Sequence, residues 1–307
     1  MTDYEGVLPV MKPAGFTSHD VVAKVRRILK MKRIGHTGTL DPQVTGVLPL
    51  CLGRATRMVE YLQELPKEYE ATLVLGIATD TEDMTGTVTA QQNVTVTEEQ
   101  VMDVLSHFHG TISQIPPMYS ALKQDGKRLY ELAREGKVVE RKARDVVIHE
   151  LVVTGMKLEG PHPEISFRVL CSKGTYIRTL CVDIGQALGV PAAMSLLRRT
   201  ISAGIPLSRC LTFEQITELV ESGQLAQYLV PVDAAVHHLP VATVQEGKVA
   251  AALQGQRLSA SVVSPVIQQE EPFRLYDPEQ RFLGIYKREA ESGAIAPIKV
   301  FAQNSND

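Results

Sequence analysis

Four cysteines occur in 307 residues, Cys51, Cys171, Cys181 and Cys210, and no two form a C-x-x-C pair. That spread fits neither a disulfide framework nor a zinc site of usual spacing, so reduced core thiols are expected. Positive charge is also short. A formal net charge of -3 supplies no overall basic excess, so a polyanionic partner has to be held by a local patch. The longest uncharged run, 104–122, is broken by His107, His109, Gly110, Gln114 and the Pro116-Pro117 pair, which excludes it as a membrane span. The first residues carry Asp3 and Glu5 where a signal peptide carries lysine or arginine, and a cytoplasmic protein is expected.

What is present is an ordinary globular composition, 44% hydrophobic and 22% charged, in a chain long enough for about two domains. Thr17 and Ser18 offer a cap to a helix over 18–30, whose Val21, Val22, Val25, Ile28 and Leu29 recur at helical spacing. Its other side is basic, through Lys24, Arg26, Arg27 and Lys30, followed by Lys32 and Arg33; a solvated helix face explains this as simply as a binding patch. Glycines and prolines make 34–53 a loop leading into an apolar strand at 47–52. Strands are expected at 69–76, 146–154 and 164–171. Helices are expected behind the capping boxes that open at Thr97 and Thr212, and over 176–188. Between them, 115–145 is charged and reads as an excursion from the core with one short helix at 129–135. Beyond about residue 232 the texture changes to short β-rich pieces at 273–276, 282–286 and 297–301, which marks a small second domain. The end, AQNSND, is expected to be loose.

Two constellations can carry chemistry. In GHTGTLDPQVTG at 35–46, glycines flank one acid, and Pro42 biases Asp41 towards an extended or turn conformation that projects its carboxylate. An Asx-turn in which Asp41 bonds its own backbone is an equal alternative from local pattern. In CSKGTYIRT at 171–179, Arg178 falls on the first turn of a helix and can return to the strand end to meet a carboxylate, while Tyr176 offers a flat face and a hydroxyl. A structural ion pair is the competing explanation for Arg178. No Gly-Lys-Ser/Thr phosphate loop, G-x-S-x-G elbow or metal-binding His/Cys spacing is present.

KPAGFTSHDVV at 12–22, GHTGTLDPQVTGVLPLCLGRATR at 35–57, KEYEA at 67–71, PPMYSALKQDGKRLYELAREG at 116–136, CSKGTYIRTL at 171–180 and LLRR at 196–199 together resemble the TruB family of tRNA pseudouridine synthases, in the family's order over 8–199. The resemblance implies an α+β fold with a mixed, largely antiparallel sheet flanked by helices, an inserted RNA-binding arm at about 115–145, and a small β-rich PUA-like C-terminal domain. The divisions are 1–232 and 233–307. It implies isomerisation of the uridine at position 55, in the T loop of tRNA, without metal or organic cofactor and without an obligatory protein partner; a monomer is expected.

By the same resemblance Asp41 is the catalytic carboxylate, Tyr69 stacks on the uracil and helps remove the C5 proton, and Arg178 pairs with Asp41. Tyr176 lies in the pocket wall, Leu197 packs on the target base, His36 holds flipped loop nucleotides, and Lys12 supports the site from beneath. An arginine beside the acid is expected to keep it ionised. Lys123, Lys127, Arg128 and Arg141, with Arg134, Lys137, Lys142 and Arg144, make the excursion a basic arm; the first helix and the pair Arg198-Arg199 complete the basic patch. Two rivals stand beside this reading: an RNA-folding helper that needs no chemistry, and a guide-RNA-dependent enzyme acting on ribosomal RNA.

Overall fold

A computed structural model describes residues 4–124 and 126–301. The tail at 302–307, expected to be loose, lies outside the described residues. The chain runs β1 (Gly6–Lys12), α1 (Ser18–Leu29), β2 (Ile34–His36), β3 (Thr45–Leu52), α2 (Val59–Glu64), β4 (Lys67–Leu75), the hairpin β5 (Ile77–Thr79) and β6 (Val88–Gln91), α3 (Glu98–Ser106) and β7 (Gly110–Gln114). The charged excursion follows, with β8 (Lys123–Gln124), β9 (Lys127–Arg128) and α4 (Leu129–Arg134). Next come β10 (Arg144–Lys157), β11 (Glu164–Cys171), α5 (Ile177–Ala187), β12 (Ala192–Ser202), β13 (Ile205–Pro206), α6 (Phe213–Glu221) and α7 (Val232–Ala235). The last stretch contains β14 (Val241–Val244), α8 (Val249–Leu253), β15 (Val263–Ser264), β16 (Phe273–Tyr276), β17 (Phe282–Arg288) and β18 (Ile295–Val300).

The large sheet has the order β1-β3-β12-β4-β11-β10-β7, with β2 added to β3 and β13 to β12. Its pairs are antiparallel except β3 with β12, so the sheet is mixed and largely antiparallel. Both faces of β1 and β3 are covered. Leu8, Val10, Leu48 and Leu50 pack under α1 and α6, while Val7, Val47 and Cys51 pack on the opposite side with Ile285 and Phe301 of the C-terminal part. Coverage on both sides explains why β3 reads as a continuous apolar run instead of alternating.

The capping boxes form as their residues dictate. Thr17, Thr97 and Thr212 each accept from the backbone N–H three residues on, and the side chain at that position accepts from the cap's own N–H. Ser18 has a different task from the one its sequence position suggests: it is buried and its hydroxyl accepts from the Leu40 N–H at 2.9 Å. Several strands escape the periodicity reading, among them one at the large sheet's edge and one in its centre. β1 contains Pro9, and β12 carries two arginines and register shifts at Ser195 and Thr200. The stretch expected to be a loop up to residue 47 already pairs at 34–36 and from 45 onward. A second sheet, β15-β14-β16-β17-β18, forms within 241–300. Among the described residues no helix is long and apolar enough to cross a membrane.

Candidate active site

Asp41 lies in the turn between β2 and β3, and three buried groups brace that turn. Lys12, at the end of β1, donates all three ammonium hydrogens to carbonyls, Val44 at 2.6 Å, Pro42 at 2.9 Å and Pro13 at 3.1 Å. Ser18 fixes Leu40 from the first turn of α1. Arg199, in β12, donates from Nε to the Val47 carbonyl at 2.7 Å and from Nη2 to the Gly38 carbonyl at 3.2 Å. Gly46 lets β12 come this close: it sits at φ +113°, and a Cβ there would be 2.1 Å from the Arg199 carbonyl oxygen.

Arg178, on the first turn of α5, is buried and reaches three segments at once. Its Nε meets the Asp41 carboxylate at 3.0 Å, Nη1 donates to the Thr81 carbonyl at 2.8 Å, and Nη2 to the Tyr119 carbonyl at 2.7 Å. The guanidinium thus joins the Asp41 turn, the β5–β6 connection and the root of the arm. The Asp41 side chain keeps 43% of its surface open to solvent. Desolvation by the surrounding protein nevertheless pushes its carboxyl above the ordinary value; Arg178 and Lys12 oppose that shift and Asp83 adds to it. The Asp41 carboxyl thus answers to two opposed causes, with burial the larger and Arg178 working to keep it ionised. Lys12 is itself pushed down to about 8, chiefly by burial.

The other expected residues gather around this pair. Tyr69 is the third residue of β4 and buried; desolvation raises its phenol, with Arg199 opposing and Asp41 adding. Tyr176 caps α5, its backbone held by Gln114, which accepts from the Tyr176 N–H at 3.1 Å and donates to its carbonyl at 3.3 Å. Burial raises the Tyr176 phenol as well. Leu197 is half-buried in β12 on the face shared with Ala71 and Tyr69. His36 accepts from the Gly38 N–H at 3.3 Å and meets His19 edge-on at 5.5 Å; burial lowers its pKa, so the ring is neutral at pH 7.

Lys123 and Lys127 are exposed on the arm, but Lys127 and Lys137 both pair with Glu135, and Arg128 donates to the Tyr130 hydroxyl at 3.2 Å. Arg141 turns inward and donates to the Pro116 carbonyl at 3.0 Å. The pair Arg198-Arg199 does not act as a surface patch: adjacent strand residues face opposite ways, so Arg198 is exposed and Arg199 is 1% exposed. Sequence reasoning also passed over Gln114 and the TDTED turn at 79–83; period-two alternation through Leu197 and Arg199 was the signal available for the latter arginine. A cleft of about 440 Å³ lies beyond this turn, lined by Glu82, Met118, Arg141 and Gln186, and Asp41, Tyr69 and Arg178 do not line it. Among the described residues no group of three or more His, Cys, Asp or Glu could hold a metal ion.

Residues 26–177 match the family described as TruB family pseudouridylate synthase (N terminal domain), and 178–237 match the tRNA pseudouridylate synthase B C-terminal domain. The tRNA pseudouridine synthase B of Bacillus licheniformis is 45% identical, over 98% of this chain and 99% of that protein. That of Geobacillus thermodenitrificans is 45% identical, over 97% and 99%. Among solved structures, a chain of a Cbf5-Nop10-Gar1 complex superposes with a TM-score of 0.75 at 30% identity, covering 97% of this chain and 85% of that one. The family match and these relatives make the chain a pseudouridine synthase, an isomerase. The chain belongs to the TruB family.

Proposed function

We propose that this chain converts the uridine at position 55, in the T loop of tRNA, into pseudouridine, with the Asp41 carboxylate as its catalytic group. The observation that carries this reading is the Asp41–Arg178 contact at 3.0 Å on a turn braced by Lys12, Ser18 and Arg199. The carboxylate opens to solvent and not into a closed pocket, which suits a macromolecular substrate that brings its own walls. The reaction detaches uracil from C1′, turns it, and rejoins it through C5; a carboxylate can act at the sugar or the ring while the base is free. A base inside a folded loop is out of reach until it is flipped, at a cost of a few kcal/mol. Stacking at about 1–3 kcal/mol per base offsets this, and Tyr69, Tyr176 and the neutral His36 ring are the groups in place for it.

Arg178 pairs with Asp41, Leu197 packs on the base, and Lys12 acts only by holding the turn. The arm, through Lys123, Lys127 and Arg128, lies over the RNA backbone. Residues 1–232 form the catalytic domain and 233–307 a PUA-like RNA-binding domain. The chain works as a monomer, with no cofactor and no guide RNA. Relatives near 45% identity over almost the whole chain bear the tRNA enzyme's name, which favours tRNA as substrate. Mapping pseudouridine in unmodified tRNA after incubation with the protein tests the reading: one new pseudouridine in the T loop is expected, and none, or one elsewhere, overturns it.

A further inference from the structure

Arg199 is among the largest fully buried side chains, and no carboxylate lies within ion-pair distance of it among the described residues. Burying a guanidinium without a counter-charge costs several kcal/mol, and an apolar side chain of similar volume is often the more stable choice. Its two carbonyl partners, on Val47 and Gly38, satisfy part of its fork but not its charge. Its place in the sheet is specific: Arg199 is paired directly across from Tyr69 on β4, and beside Gly46 on β3, so one residue touches the strand that bears the phenol and both ends of the turn that bears Asp41. The positive field it creates acts on several titratable neighbours in the same sense. It opposes the rise of the Tyr69 phenol and adds to the lowering of Lys12, Lys67 and His36.

We propose that Arg199 is a positioning residue of the reaction, a buried cation that ties the Gly38 end of the Asp41 turn to β12 directly across the strand pair from Tyr69. This rests on the reading that Tyr69 faces the substrate base. A phenol can accept a proton only after losing its own, so a neighbouring fixed cation makes Tyr69 a more available acceptor than burial alone allows. The unpaired charge that is costly for folding is then the feature useful for the chemistry.

Fluorine NMR of protein carrying 3-fluorotyrosine, with the Tyr69 signal assigned by its loss in Tyr69→Phe, measures this without RNA. In Arg199→Met the Tyr69 signal should titrate higher by about one pH unit, a tenfold change in its ionisation constant, while Arg199→Lys stays near wild type. With RNA, the single-turnover rate of Arg199→Met should fall about 10²-fold at pH 7 at unchanged RNA affinity, and recover as the pH is raised. Added to Tyr69→Phe, Arg199→Met should cost little more. An unchanged Tyr69 titration in folded Arg199→Met, or rate losses that multiply in the double variant, overturns the proposal. If Arg199→Met does not fold, Arg199→Gln, which keeps a donor for Gly38 without the charge, takes its place; if both fail to fold while Arg199→Lys folds, the residue serves architecture alone and the proposal falls. A wild-type protein that makes no T-loop pseudouridine refutes the functional reading and leaves the fluorine result standing.

Discussion

Lys12, Arg178 and Arg199 direct their cationic heads at backbone carbonyls and a single carboxylate inside the protein, whereas Lys123, Lys127 and Lys137 on the arm hold theirs largely in solvent. The buried set is little screened by salt and has fixed partners, so it can define a geometry. The arm's charges are screened within about 8–10 Å at ordinary ionic strength and share Glu135, so they can attract a polyanion but cannot place an atom. One chain with a net charge of -3 thereby separates the cations that organise the Asp41 turn from those free to attract a polyanion.

Variants can break or sharpen that contrast. The largest effect is expected for Asp41→Asn, which keeps shape and removes charge: turnover should fall by about 10⁴-fold or more while RNA affinity, measured by filter binding, stays within the wild-type range. Arg178→Met comes next, with a loss of about 10²–10³-fold in rate. It also carries a pH signature. Burial already raises the Asp41 carboxyl and Arg178 opposes the rise, so removing the arginine lets the acid protonate at higher pH. The acid limb of kcat/KM should then move upward in pH, and a limb that stays put or moves downward would contradict the pair.

Lys12→Met should act through the turn. It leaves three carbonyls without their donor, each worth about 1 kcal/mol net, so a lowered Tm and a moderate rate loss are expected together. The smallest single effects belong to the arm. Neutralising Lys123, Lys127 or Arg128 one at a time should weaken RNA binding at low salt and flatten the salt dependence by about 0.7–0.9 in the log–log slope per lost phosphate contact, with turnover at saturating RNA unchanged. An arm variant that lost turnover but kept its salt slope would erase the distinction between the two regions.

Much of this frame is legible in the residues. Capping boxes at Thr97 and Thr212 and the alternation in β11 are local signals, and local physics decides them. The Asp41–Arg178 contact was expected from the family resemblance; the residues alone said only that an arginine on a helix's first turn can reach back to some carboxylate. What stayed hidden depends on neighbours distant in sequence. β12 looks too polar for the middle of a sheet until β3 and β4 flank it and the Gly38 end of the Asp41 turn meets one face, and only then does Arg199 become an interior residue while Arg198 remains outside. The direction of the Asp41 shift was likewise hidden, since it depends on how much protein surrounds the carboxylate and not on which residue pairs with it.

The most direct trial is a T stem-loop hairpin of unmodified RNA, incubated with wild type or Asp41→Asn without any other protein, and mapped for pseudouridine at nucleotide resolution. Wild type should convert the uridine at position 55, and Asp41→Asn should bind the hairpin and leave that uridine unchanged. Conversion by the asparagine variant, or an unmodified hairpin after wild-type treatment, would contradict the account.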